Sequence, residues 1–350
     1  MPKQVLTFQY RIKDSTSAKH LSRMASAVNF VWNYCNEVSM LALRRDKRWL
    51  SAYDLSCLAK GVSKHLGIHS QTVQAICEEY VTRRRQCKKR RLSWRSKKRS
   101  LAWIPFKTSG VRILDDSVTY GGRTFRFWLS RPVQGTVKTG SFAQDARGRW
   151  YVNFQCELDA PDTRDSGAAL GIDLGLKDTA ACSDGVTYSR YNLTRLYEDE
   201  LAIAQRAGKK KRVKAIHAKI KNIRKDWAHK VSTDIASRAR QIVVGDVSSS
   251  KLAKTRMAKS VYDASWHQFR SFLKYKAIKL GAMYADVNES FSSVTCSDCH
   301  KRTGPSGLSA LGVREWYCTN CGVLHNRDTN AALNILRLGR QTPIKGIPVL

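Results

Sequence analysis

The sequence predicts a multidomain chain of mixed class. A β-barrel interrupted by a helical insertion comes first, and an α/β domain carrying a small metal-stapled ribbon follows. Three observations predict this. Short alternating runs at Val5–Ile12 and across 104–158 flank a stretch of helical periodicity. From residue 168 onward, apolar strands alternate with helices. Near the C-terminus, Cys296-x₂-Cys299 and Cys318-x₂-Cys321 stand 18 residues apart.

Taken in order, VLTFQYRI at Val5–Ile12 alternates apolar and polar residues, as a strand with one exposed face does. Between Ser15 and Cys87 the period becomes helical. Leu21, Met24, Ala25, Val28, Trp32 and Cys35 share one stripe, and Val73, Ile76, Cys77 and Tyr80 another. Asp54 and Ser70 read as helix starts. VRIL, TFRFWL, VQGTVKTG and WYVNFQCEL read as strands, with a turn at Gly121–Gly122. With Val5–Ile12 they are expected to close a barrel over 1–14 and 100–160, leaving 15–99 as its helical insertion. Pro161, within DAPDTRDSG, marks a linker. Ala168–Leu174 then reads as a buried strand. Leu196–His229 is a long basic helix, continued by Lys230–Arg240. Ile242–Val247 is an apolar strand, Trp266–Gly281 a helix and Ala282–Val287 a strand. Gly339–Leu350, with Gly339, Pro343, Gly346 and Pro348, reads as a loose tail.

The charge narrows the partner class. Lys and Arg number 62 against 28 Asp and Glu, a net +34 over 350 residues, while 42% of residues are hydrophobic. Such a chain has cores to bury, so it is not a disordered basic tail. Self-repulsion on this scale calls for a polyanionic partner, nucleic acid first and an anionic membrane surface second. No stretch nears the roughly 18 consecutive apolar residues of a membrane span. The opening MPKQVLTFQYRIKDS has no apolar core of an export signal. Six cysteines are scattered singly and four are paired, which fits a reducing compartment with one metal site. The expected location is the cytoplasm, at the nucleoid. RRRQCKKRRLSWRSKKR at Arg83–Arg99 is the densest basic run. It reads either as a solvated connector or as a phosphate-binding strip with Trp94 as a stacking platform. Lys209–Lys214 is a second such run. Trp103 and Trp128 are further stacking candidates, with core packing the alternative for Trp128 within FRFWL.

Three constellations carry chemistry. Two Cys-x₂-Cys knuckles present four thiolates to one tetrahedral Zn²⁺. With no coordination position left for water, that site is structural. His300 and His325 lie beside it as bystanders or nucleic-acid contacts. Asp173 ends an otherwise apolar strand in ALGIDLGLKDTAACSDG. An unpaired buried carboxylate is costly, and a divalent cation is the simplest compensation, unless the aspartate caps the next turn. Asp328, in HNRDTNAALNIL, precedes a helix, where aspartate serves as an N-cap or as a ligand.

The order GIDLG, IVV-x-D, CxxC…CxxC, RDTNAALNI resembles the TnpB family of transposon-encoded RNA-guided DNA endonucleases, relatives of the type V CRISPR effectors. The resemblance covers about residues 167–338, and it matches the first half by layout only. It implies a RuvC-like RNase H fold over 167–295 and 322–338, with a zinc ribbon at 296–321 inserted in it. It implies a wedge-like barrel, a recognition insertion, a guide RNA and a double-stranded DNA target, and no membrane. Such sites use two Mg²⁺ ions held by about three carboxylates from separate elements. Asp173 and Asp328 match the first and last of these. The middle position, usually glutamate, is Gly245. Asp246 would face the other way on the strand. Glu289, in YADVNESFSSVTC, is the expected substitute, and Asp286 points opposite to it. Two further readings stay open. One is a nuclease-dead RNA-guided repressor, the other a zinc-ribbon DNA-binding accessory protein of transposition.

Overall fold

The computed structural model describes residues 3–341 apart from 14, 177, 191, 247–264, 308, 309 and 311. Its contacts divide the chain into two compact units, one over Lys3–Asp159 and a second beginning at Ala160.

The first unit contains β1 (Lys3–Arg11), α1 (Ser15–Asp46), α2 (Ala52–Leu58), α3 (Val62–Leu66) and α4 (Ser70–Gln86), then β2 (Trp103–Lys107), β3 (Val111–Leu114), β4 (Ser117–Tyr120), β5 (Arg123–Arg126), β6 (Thr136–Gln144) and β7 (Trp150–Asp159). The alternation of β1 buries Phe8 and Tyr10 against a cluster of aromatic rings, Tyr10 lying 5.1 Å from Phe127 and 5.9 Å from Phe154. Asp54 is the third residue of α2. Its carboxylate accepts from the Ser51 amide while the Ser51 hydroxyl accepts from the Asp54 amide, a reciprocal cap. His69 caps α4.

The expected barrel does not close. The strands form one antiparallel sheet in the order β1-β7-β6-β2 and another in the order β3-β4-β5. A single bridge, Ile12 to Phe127, continues β1 toward β5. The far edge, β2, is covered by α4. Pro105 has no N–H to offer a further strand, and its carbonyl accepts from the Thr72 hydroxyl on α4 at 2.8 Å.

The second unit contains β8 (Ala168–Asp173), β9 (Asp178–Cys182), β10 (Thr187–Ser189), α5 (Leu193–Leu196), α6 (Glu198–Arg206), α7 (Lys210–Arg238), β11 (Ala239–Gly245), α8 (Trp266–Lys279), β12 (Met283–Val287), β13 (Glu315–Tyr317), β14 (Leu324–Asn326) and α9 (Arg327–Gln341). The long basic helix read from the sequence is broken at Ala207–Lys209, where Gly208 takes φ 64°. The main sheet runs β10-β9-β8-β11-β12, with β8, β11 and β12 parallel and the β8–β9–β10 ladders antiparallel. Leu170, Ile172, Ile242 and Val244 point to one face, against Ile235 and Ala236 of α7 and Leu273 and Ala277 of α8. Alternation sends Gly171, Asp173, Val243 and Gly245 to the opposite face, which α9 covers.

That seat is tight. A Cβ at Gly171 would stand 2.0 Å from the Ala332 carbonyl oxygen, and one at Gly339 would stand 2.4 Å from Val243. Gly339 therefore belongs to a packed helix that runs on to Gln341, not to the loose tail. The remainder of the expected tail, 342–350, lies outside the described residues, as does Val247. The bare glycine backbone thus sets how near α9 comes to β8. Gly171→Ala should lower stability by about 2–3 kcal/mol, the range of an overpacked core, read as a fall in the urea midpoint.

Candidate functional site

The parallel register brings the ends of β8, β11 and β12 side by side. Val244 pairs with Ile172 and Gly245 with Val287, so Gly245 is next to Asp173 across the sheet. Glu289 lies two residues past Val287 and returns to the same face. A Cβ at Gly245 would meet the Glu289 Oε2 at 2.3 Å and its Cβ at 3.1 Å. The Glu289 side chain thus lies where a side chain at Gly245 would begin. Its Oε2 is buried and has no hydrogen-bond partner. Among the described residues no hydrogen bond reaches the Asp173 carboxylate, so it does not cap the following turn.

Asp328 opens α9, but Asn326 does the capping: its Oδ1 accepts from the amides of Asp328 and Thr329 at 3.1 and 3.2 Å. The Asp328 carboxylate is left to face Arg314, whose Nη1 donates to its two oxygens at 3.2 and 3.1 Å. Burial, then the charges of Glu289 and Asp328, push the Asp173 carboxyl up to about 8, against relief from Arg327 and Arg314. Burial and the charge of Asp246 push Glu289 up to about 7, with Arg270 opposing. Three acids from three elements therefore converge at one end of the sheet. They are more widely spaced than the cysteine cluster and do not form a group with all donor atoms within 4.8 Å. The donor set is all carboxylate oxygen, it has a buried oxygen without a partner, and two members bind protons abnormally tightly. This suits a hard divalent cation. Asp246 and Asp286 turn the other way, and Arg270 bridges them at 2.7 and 2.8 Å.

The four cysteines also converge. Among the described residues, the sulfurs of Cys296, Cys299, Cys318 and Cys321 all lie within 4.8 Å of one another. Each knuckle closes on its own backbone: the His300 amide donates to Cys296 O at 3.0 Å and the Gly322 amide to Cys318 O at 2.8 Å. The Thr303 hydroxyl beside Cys318 draws that thiol down to about 6. His325 is no bystander. It is buried, with its Nε2 3.0 Å from the Cys296 sulfur and its ring 4.7 Å from that of Trp316.

The basic run divides in two. Arg84 is buried, donating to Leu50 O at 2.7 Å and lying 4.8 Å over the Trp49 ring. Arg95 lies between the rings of Trp32 and Trp103 and donates to Asn29 Oδ1 at 2.9 Å. Arg85, Lys88, Lys89, Arg90, Arg91, Lys97, Lys98 and Arg99 are exposed, as is Trp94. Trp128 is also exposed, with Lys13 over its ring, and so is not a core residue. Lys209, Lys210, Lys211, Arg212 and Lys214 are exposed, Arg212 pairing with Glu200. No described helix is long and apolar enough to cross a membrane.

The chain is similar to known proteins. Residues 266–335 match the family model "Cas12f1-like, TNB domain", and residues 153–256 match "Probable transposase", the OrfB family of IS605 elements. A "Putative RNA-guided DNA endonuclease" of Streptomyces pristinaespiralis is 28% identical over 95% of this chain and 89% of its own length. The chain thus carries domains of the TnpB/OrfB and Cas12f1-like kinds. The "CRISPR-associated endodeoxyribonuclease Cas12f1" of Sulfoacidibacillus thermotolerans is 28% identical over 55% of this chain and 50% of its own. Among solved structures, a Cas12f1–sgRNA–target DNA complex matches in fold, with TM-score 0.59 and 12% identity over 92% of this chain and 83% of that one.

Two features of the site have no signal in the sequence. Arg314 has no motif of its own, being one arginine among many, 14 residues before Asp328. His325 was visible as a residue near the knuckles but not as a neighbour of Cys296.

The raised carboxyls have a measurable consequence. Unfolded Asp and Glu titrate near 3.9 and 4.3, so the folded chain binds more protons between about pH 4 and 8. The stability those protons contribute is present at the acid end and lost as pH rises through the folded values. In magnesium-free buffer the urea midpoint should therefore fall from about pH 5 to 8.5. Asp173→Asn should flatten that slope.

Proposed function

We propose that this chain is an RNA-guided DNA endonuclease of a mobile element. It hydrolyses DNA phosphodiesters after pairing of a guide RNA with its target beside a short flanking motif. The observation that carries the reading is the Glu289 carboxylate lying in the space over Gly245, next to Asp173. A catalytic trio of Asp173, Glu289 and Asp328 would hold Mg²⁺. When bound, two such ions supply Lewis-acid stabilisation to the attacking and leaving oxygens of an in-line displacement. The chain's own residues do the rest. Asp173 and Glu289 must release protons for metal to bind, so affinity should rise from pH 6 to 8. Arg314, beside Asp328, offers a guanidinium fork to a phosphate in the same place.

The assignment of 167–295 and 322–338 to a RuvC-like RNase H domain is supported by the sheet. Numbered from β8, its strands run 3-2-1-4-5, the first three antiparallel and the last two parallel to the first. The thiolates of Cys296, Cys299, Cys318 and Cys321 would hold Zn²⁺ in a ribbon over 296–321, a structural closed site. Residues 1–14 and 100–160 would form the wedge-like part and 15–99 the recognition part. The exposed cations of 85–99 and 209–214 suit phosphates of the guide and target, held by shape and charge without sequence readout. The relatives' names and the complex matched in fold support the same partners: guide RNA and double-stranded DNA.

The test is direct. Purified ribonucleoprotein should cut matched duplex DNA in Mg²⁺. Alanine at Asp173, Glu289 or Asp328 should lower the rate by about a thousandfold, the loss expected when several kcal/mol of charge stabilisation goes. Absence of cutting by wild type would leave an RNA-guided binding protein. Replacing the exposed cations of 88–91 and 97–99 with Gln should flatten the salt dependence of RNA binding by roughly 0.7 for each phosphate no longer neutralised. Replacing Arg84 or Arg95 should instead lower the melting temperature.

A further inference from the structure

Helix α9 carries two asparagines one turn apart, Asn330 and Asn334, and both are 1% exposed. A polar side chain this deep needs partners, and these two share theirs. The Asn330 amide nitrogen donates to Ser292 O at 3.3 Å and Thr295 O at 2.8 Å. The Asn334 amide nitrogen donates to the same two carbonyls at 3.0 and 2.7 Å. The Asn330 oxygen accepts from the Ser297 amide at 2.8 Å. The loop thus gripped, 290–297, follows Glu289 directly and contains Cys296, the first thiolate of the ribbon. Its near end is tied back too, since the Ser292 amide donates to Glu289 O at 3.0 Å.

The loop has no strand or helix of its own to set its position. Helix α9 does, because Gly171 and Gly339 seat it on the sheet at close range. We infer that Asn330 and Asn334 are positioning residues that transmit the seat of α9 to the loop 289–297. They hold the Glu289 carboxylate over Gly245 and in register with Asp328 on their own helix. They also tie the first cysteine knuckle to the same point, so the thiolate site and the carboxylate site are assembled on one support. This rests on the proposed carboxylate trio and goes beyond it, since neither asparagine touches a carboxylate oxygen.

The test uses the full chain loaded with zinc and free of RNA. Mn²⁺ is the probe, its binding followed by electron paramagnetic resonance. Asn330→Ala and Asn334→Ala should keep their zinc content and far-ultraviolet circular dichroism. They should bind Mn²⁺ about tenfold more weakly, the lower end of what residues orienting metal ligands contribute. Combined with Glu289→Ala, Asn334→Ala should add nothing, because it acts through that carboxylate. Mn²⁺ affinity within twofold of wild type in both zinc-loaded variants, or fully additive losses in the double variant, would overturn the inference. An unfolded variant leaves a wild-type measurement to decide. Mn²⁺ should slow hydrogen exchange at the 290–297 amides, and unchanged exchange would also overturn it. Glu289→Ala binding Mn²⁺ like wild type would instead remove the carboxylate assignment, and the inference with it.

Discussion

The site depends on a side chain that is not there. At the end of β11 the space above the backbone is occupied by the carboxylate of Glu289, with the Ile335 methyl 3.0 Å from where a Cβ would stand. Any residue larger than glycine would meet a buried carboxylate and an apolar helix at once. Glycine leaves both in place and lets an acid from beyond the next strand lie beside Asp173. Burial is the main physical cause, joined by the charges of Glu289 and Asp328 at Asp173 and by that of Asp246 at Glu289: both carboxyls hold protons more tightly than in water, and a bound cation would relieve them.

Close backbone approach recurs through the second unit. Helix α9 rests on β8 at Gly171 and on β11 at Gly339, and its alanines, Ala331 and Ala332, are buried beneath it. Small residues here act as spacers of minimal length. They bring the start of α9, and so Asp328, to the end of the sheet where Asp173 emerges. The opposite face is packed conventionally, with branched strand residues against α7 and α8. One layer supplies stability, and the other supplies geometry.

The basic character of the chain is likewise divided by burial. Arg84 and Arg95 engage carbonyls, an asparagine and indole faces with their guanidinium groups, while their neighbours in sequence stay in solvent. A run of charge is thus partly internal scaffold and partly surface. Spacing hints at this only through the tryptophans interleaved with it.

Much of the second unit was legible from residues alone. Apolar strands, helical stripes and two cysteine knuckles are local signals with fixed periods, and strand alternation already sent Asp246 and Asp286 away from Glu289. The first unit was less legible. Whether seven short strands close a ring depends on how the edges are covered, and here Pro105 and Thr72 bring a helix to the edge of β2. The sequence by itself determined the charge, the element types, the cysteine pairs and which acids stood as candidates, because each follows from composition, a short motif or a short period. Only the tertiary structure decided that Asn326, not Asp328, caps α9, that Arg314 faces Asp328, and that Glu289 lies over Gly245. The last two join residues 14 and 44 positions apart, and separation along the chain carries no record of which of them meet.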